Sequence, residues 1–323
     1  MGLDDKLVRK KLEVLLKDEM LVQKYLRIFG PRLDMNNIVK LKQEQAKAGP
    51  EGNQGEKDDP TYQIKVKCPI CTQGDLTCYE VKAKSLTAAP DRFLVARYTA
   101  VKPFKTLNYS LYSVTVCPAC LFASPDKKDF ITHSVQARTE VKSQLTPYVL
   151  DELRKRVDER KKIVNAPDFT KFFAHPRSIE AGIACYRLCI HRAMAEAGLE
   201  TPLAWYKAGM YGLKIALFLR DTGKDDTDIL KEASGYLSKS FRNSELKVPE
   251  LEYQLVYILA ALFLRLEDQT QCQSYMGVLE KWKGEQEKAA KDNPAVNPAH
   301  VTRWVDKIKE LWTDRETPDL WKH

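Results

Sequence analysis

The chain has 323 residues, of which 44% are hydrophobic and 30% charged, with a formal net charge of +8. This composition reads as a soluble globular protein of two or three domains. No apolar run approaches the ~20 residues of a membrane helix, and the opening Met1–Asp5 carries no apolar core of a signal peptide; the expected location is the cytoplasm, where eight cysteines serve as metal ligands or buried thiols.

The charge is uneven. Residues 61–125 hold eight Lys/Arg against three Asp/Glu, residues 126–165 ten against seven, and residues 166–323 twenty-two against twenty-three. The basic excess therefore sits in the first half of the chain, which suits either a solvated lysine-rich face or nucleic acid.

In chain order, residues 1–47 read as N-terminal amphipathic helices. Leu7, Leu12, Leu15, Leu16, Leu21, Val22, Leu26 and Phe29 recur at helical spacing, predicting one helix over 3–29 ended by Gly30-Pro31. A second helix is expected over 34–47. The apolar stripe is expected to pack within the chain, or else on another copy. Residues 48–60, AGPEGNQGEKDDP, read as a linker rich in Gly, Pro and charge.

Residues 61–125 carry the strongest chemical signal. Cys68-Pro69-Ile70-Cys71 and Cys117-Pro118-Ala119-Cys120 each place two thiols three positions apart around one tight turn. Two such turns supply the four soft ligands of a tetrahedral zinc site. A single Cys-Pro-x-Cys also resembles a redox motif. That motif opens a helix, whereas Cys71 runs into Thr72-Gln73-Gly74-Asp75, a turn. Iron and four unliganded thiols are the remaining readings. Period-two alternation from Tyr62 to Lys67 predicts a strand into the first knuckle, with Leu76–Val81 returning. Further strands are expected over 93–98 and 110–116. The module is predicted to be a small antiparallel, zinc-ribbon-like β sheet clipped by one structural zinc on Cys68, Cys71, Cys117 and Cys120. Cys78 reads as a strand residue, and His133 as a spare ligand at most. If the basic module touches nucleic acid, Lys65, Lys67, Lys82, Lys84 and Arg97 are the candidates.

Residues 126–165 are expected to be connecting helices, one from Asp126 or Asp129 to about Ser143 and one from Pro147 to Val164. Residues 166–313 then read as helix upon helix. The helix over 178–197 places Cys185 and Cys189 on one face, as core thiols. Ala216-Leu217-Phe218-Leu219-Arg220 recurs as Ala261-Leu262-Phe263-Leu264-Arg265. Each copy closes an apolar helix and precedes a polar turn and a second helix. This predicts stacked helical hairpins of tetratricopeptide-like plan. A last helix over 298–312 carries Val301, Trp304, Val305, Ile308 and Leu311 on one side, and residues 314–323 form a tail. The fold class expected is multidomain and mainly α, with the small β module before the helical array.

The two knuckles, the strand-rich segment between them and the helices beyond resemble an uncharacterised bacterial family, a domain of unknown function. The matching residues are Val66–Cys71 and Tyr112–Ala123, and the resemblance spans about residues 61–285. It implies zinc and helical repeats but no activity. Leu121 departs from the pattern, which usually has glycine there to relieve a left-handed backbone.

No HExxH, P-loop or GxGxxG motif occurs, and four thiolates leave no open coordination position. The function expected is a non-enzymatic zinc-binding adaptor. Its helical array would bind a protein partner through Tyr206, Lys207, Tyr211 and Lys214 in the first hairpin and Glu252, Tyr253 and Tyr257 in the second. The alternatives are nucleic-acid binding by the basic module and a thiol redox enzyme.

Overall fold

The structure is a computed structural model that describes residues 5–16, 19–29, 34–40, 58–134, 139–293, 295–317 and 320–321. Two compact units are present, Met1–Gln54 and Gly55–His323.

In the first unit, helices α1 (Asp5–Leu16) and α2 (Glu19–Phe29) pack on each other. The single helix expected over 3–29 is thus two. An isolated amphipathic helix leaves its stripe in water, whereas two facing helices bury Val8, Leu12, Leu16, Val22 and Tyr25 together with Ile38. The side chains of Leu7, Leu21 and Phe29 are outside the described residues. Residues 35–40 are helical, with Asp34 Oδ1 accepting from Asn36 N at 2.9 Å; the expected continuation over 41–47 and most of the linker also lie outside them.

The second unit begins with four two-stranded antiparallel ribbons, not the one small sheet expected. Strand β1 (Thr61–Val66) pairs with β2 (Leu76–Val81), placing Ile64 opposite Cys78. Strand β3 (Leu86–Pro90) pairs with β4 (Ala96–Ala100), β5 (Thr115–Val116) with β6 (Ala123–Ser124), and β7 (Thr132–Ser134) with β8 (Thr139–Val141). The strand expected over 93–98 starts only at Ala96. Asp91 Oδ1 accepts from the N–H groups of Phe93 (2.9 Å) and Val95 (2.8 Å), and this Asx-type turn drives both apolar side chains into the core. The strand expected over 110–116 is confined to β5, residues 115–116, and is preceded by a 3₁₀ turn, Tyr109–Leu111, capped by Asn108.

The helix expected over 126–143 is instead a 3₁₀ turn, Lys127–Asp129, followed by the β7–β8 ribbon. Long-range pairing outweighs the local cap: Lys67 and Ile131 exchange both backbone hydrogen bonds, at 2.8 and 2.9 Å, and Phe130 is buried against Phe122. The helix expected over 147–164 is broken at Arg156 into α3 (Pro147–Lys155) and α4 (Val157–Ile163). A single helical turn, α5 (Phe169–Phe172), comes next.

The rest is a helical array: α6 (Ile179–Gly198), α7 (Ala204–Asp221), α8 (Thr227–Arg242), α9 (Pro249–Arg265), α10 (Gln269–Asp292) and α11 (Ala299–Thr313). The repeated pentapeptide closes α7 and α9, each the first helix of a hairpin, and α11 packs on α9 and α10 with its five expected apolar residues buried. Helices α7 and α8 approach closely at Gly209, where a Cβ would lie 2.4 Å from Leu237 Cγ. Among the described residues, no helix is long and apolar enough to cross a membrane.

The repeat has a physical purpose beyond packing. Its two arginines, Arg220 and Arg265, converge on Asp226, which is only 1% exposed, at 3.6 and 3.2 Å. Arg220 also binds Asp91 Oδ2 at 2.8 Å and stands 4.8 Å over the Phe93 ring. Phe93 in turn stacks on Trp321 of the tail at 5.1 Å. A second buried network, Asp129–Arg192–Glu196, joins the 3₁₀ turn after β6 to α6 at 2.6 and 2.7 Å. Phe93, Val95, Val114, Val116, Leu121 and Ala123 belong to the same core as the helices of the array.

Candidate metal centre

The two knuckles fold alike. In the first, Thr72 N donates to Cys68 O (3.1 Å) and Cys68 N to Gln73 O (2.8 Å); in the second, Leu121 N donates to Cys117 O and Cys117 N to Phe122 O, both at 2.8 Å. Proline after the first cysteine fixes φ for the turn. The residue after the second cysteine takes the left-handed conformation in both, Thr72 at φ 61° and Leu121 at φ 56°. Leu121 holds this backbone without glycine because its side chain is fully buried in the shared core.

This symmetry brings four sulfurs together. Cys68 and Cys120 Sγ lie 3.6 Å apart and Cys71 and Cys117 Sγ 3.5 Å apart, and all four are within 4.8 Å of one another. Disulfides have sulfurs about 2.05 Å apart, so these are four free thiols. Tetrahedral ligands at about 2.3 Å from one ion lie roughly 3.8 Å apart, which matches the cluster. The four cysteines can hold a metal ion, and three of them are buried, with Cys71 exposed. The sulfurs perturb one another in opposite directions. Hydrogen bonds from Cys117 and Cys68 pull the Cys120 thiol down, while sharing protons with Cys117 and Cys120 pushes Cys68 up.

A buried cation stands behind the cluster. Arg160, 1% exposed, donates from Nε to Cys120 O (2.9 Å) and from Nη1 to Leu153 O (2.8 Å). Among the described residues no carboxylate pairs with it, and its Nη2 is buried without a partner. Burial lowers its pKa, and the charge of Cys120, Cys68 and Cys117 raises it. A buried guanidinium with no acid beside it needs a negative group nearby. Four thiolates around a divalent ion carry net −2 and provide one. The break at Arg156 starts α4, the helix that carries this side chain.

A family model for an uncharacterized protein conserved in bacteria (DUF2225) matches residues 61–298. The chain belongs to this family. The DUF2225 match opens at the first residue of β1 and takes in both knuckles, all four ribbons and both hairpins; α1 and α2 precede it. No curated protein and no solved structure matches the chain.

The remaining cysteines are not part of the four-sulfur group, although Cys78 shares a core with it. Cys78 is buried in β2, and Cys185 and Cys189 are buried in α6, where burial raises both thiol pKa values. His133 lines a cleft with Lys65 and Lys67 beside the first knuckle. Of the five basic candidates, Lys65 and Lys84 are exposed, Lys67 pairs with Glu140 (3.4 Å), Lys82 Nζ donates to Asp59 O (2.6 Å), and Arg97 pairs with Asp221 of α7 (2.9 Å). Lys65 lies on β1 and Lys67 just past its end; Lys82, Lys84 and Arg97 are spread over the β2–β3 turn and β4.

The seven array residues sit at packing surfaces. Tyr253 and Tyr257 are buried, against Trp282 and Trp304. Burial pushes the Tyr206 and Tyr211 phenols up, Lys207 pairs with Glu196 (3.4 Å), and Glu252 is half-buried. Lys214 reaches Ala96 O (3.1 Å) and the Tyr98 ring, and burial pushes its pKa down to about 8. Arg160 is not singled out by the sequence because it stands in the run Asp158–Lys162, which reads as a solvated face. For Arg220 and Arg265 the signal is present, in the repeated pentapeptide.

Proposed function

We propose that this protein is a non-enzymatic adaptor whose four cysteines hold one structural zinc and whose tetratricopeptide-like hairpins engage a protein partner. The observation that carries the metal reading is the four-sulfur cluster backed by an unpaired buried arginine. Zinc suits four thiolates at tetrahedral spacing; when bound it crosslinks the knuckles, and its closed shell offers no position for a reacting water. The hairpin array supports the partner reading, since stacked helical hairpins present extended surfaces that suit peptides.

Elemental analysis of the protein in reducing buffer tests the first half: one zinc per chain is expected, and Cys68→Ser should lose it together with much of the thermal stability. Unchanged metal content and melting in that variant refute the site. Affinity capture with and without nuclease tests the second half. Partners lost on nuclease treatment would favour nucleic-acid binding over the adaptor reading.

A further inference from the structure

A cleft of about 320 Å³ opens beside the knuckles, between β2, β5 and the segment from α5 to Arg177. Its apolar wall is Leu76, Val116, Pro118 and Phe173; Pro118 belongs to the second cysteine turn, and Val116 immediately precedes it. Arg177 also lines it, yet is only 7% exposed. Three backbone carbonyls hold the guanidinium: Nε donates to Phe173 O (3.2 Å), and Nη1 to Leu111 O (3.0 Å) and Val114 O (2.6 Å). Among the described residues no carboxylate pairs with it, and Nη2 makes no hydrogen bond but is not sealed from solvent.

Carbonyl dipoles orient such a cation without cancelling its charge, so the free edge of the guanidinium remains a donor for a negative group. The rings of Tyr79 and His175, 6.1 Å apart, stand on the same lining. Asp75 is on it too, and an acid there disfavours a doubly charged anion.

We propose that this cleft binds a monoanionic carboxylate on a small apolar body, the chemistry of a peptide C-terminus. Arg177 Nη2 receives the carboxylate, and the wall of Leu76, Val116, Pro118 and Phe173 receives the apolar side chain. The proposal deepens the protein-partner reading and rests on it for the source of the carboxylate. Because Pro118 of the second cysteine turn is part of the wall, loss of the metal centre should also loosen the cleft.

The test is titration of the full chain with N-acetyl-leucine, read by calorimetry or NMR, with N-acetyl-leucinamide and inorganic phosphate as controls. A ligand of this size with one good ion pair should bind with a Kd of about 1 mM. The amide and phosphate should each bind at least about tenfold more weakly, the loss of one charge-assisted contact. Asp75→Asn supplies a gain that misfolding cannot mimic: the acid should bind several-fold tighter and the amide unchanged. Asn tolerates the left-handed backbone of that position, φ 57°. Equal binding of acid and amide, tighter binding of phosphate, no saturable response, or an Asp75→Asn variant with unchanged affinity for the acid each overturns the site. None of these results touches partner capture by the array, so the cleft can fail while the adaptor reading stands.

Discussion

Replacing Arg160 by methionine is expected to weaken metal binding as well as the metal-free fold. Methionine retains most of the apolar stem but none of the charge. Two effects separate. The carbonyls of Cys120 and Leu153 lose donors now at 2.9 and 2.8 Å. Hydrogen bonds from a charged donor contribute about 1.5–3 kcal/mol each, and this loss applies with or without metal. The second effect appears only when the four sulfurs are ionised around an ion, because only then does the guanidinium offset a buried net negative charge. Removing a group that supports metal ligands typically costs 10–100-fold in affinity, or about 1.4–2.7 kcal/mol. Competition against a chromophoric zinc chelator measures that part, and melts with and without chelator measure the total. By reciprocity, zinc should stabilise the native chain more than Arg160→Met by the same amount. Arg160→Lys, which keeps the charge, should recover part of the affinity. Equal zinc affinity in Arg160→Met and the native chain would refute the electrostatic role and leave Arg160 as a packing residue.

Asp226→Asn is expected to cost about 3 kcal/mol in chemical denaturation, toward the lower end for a broken buried ion pair, because its contacts to Arg265 and Arg220 are 3.2 and 3.6 Å. Thr72→Gly should raise stability by about 0.5–1 kcal/mol, since relief of a left-handed residue exceeds the added chain entropy. Leu121→Gly, with nearly the same φ, should instead lower it by about 2–4 kcal/mol because a fully buried side chain is lost; a gain at Leu121 in thermal melts would contradict the shared core. Burial, partly offset by the charge of Asp91, lowers Lys214 to about 8. The unfolded chain then binds more protons than the fold between about pH 8 and the ordinary lysine value of about 10.4, so stability should rise with pH across that window. Lys214→Met should flatten that rise.

The parts of this fold that obey local rules are legible in the sequence. The Cys-Pro-x-Cys spacing specifies the turn whatever surrounds it, so both knuckles are expected where they stand. The helix over 178–197 and the apolar face of α11 come from helical period in the same way. Contacts distant in sequence decide the rest. Asp126 caps a short turn, as its residue type suggests, but the chain beyond it forms a ribbon because Ile131 pairs with Lys67, 64 positions earlier. Arg160 and Arg177 cannot be told from surface arginines by sequence, because a buried cation is recognised by what it touches and not by its neighbours in the chain. The tyrosines of α7 and α9 illustrate the same limit: tyrosine suits both a groove and a core.

The distance between the ligands along the chain has a consequence for biosynthesis. Cys68 meets Cys120 across 52 positions, and the arginine behind them comes 40 positions later still. A ribosome therefore exposes the first knuckle well before its counterpart. Until then any captured ion has two thiolates and an open, exchangeable side. The full ligand set exists only once the second knuckle emerges, and its counter-cation later again. A full ligand shell is thus open only to a polypeptide whose whole four-cysteine module has already been made, so a chain that meets no metal should be full-length with four reactive thiols.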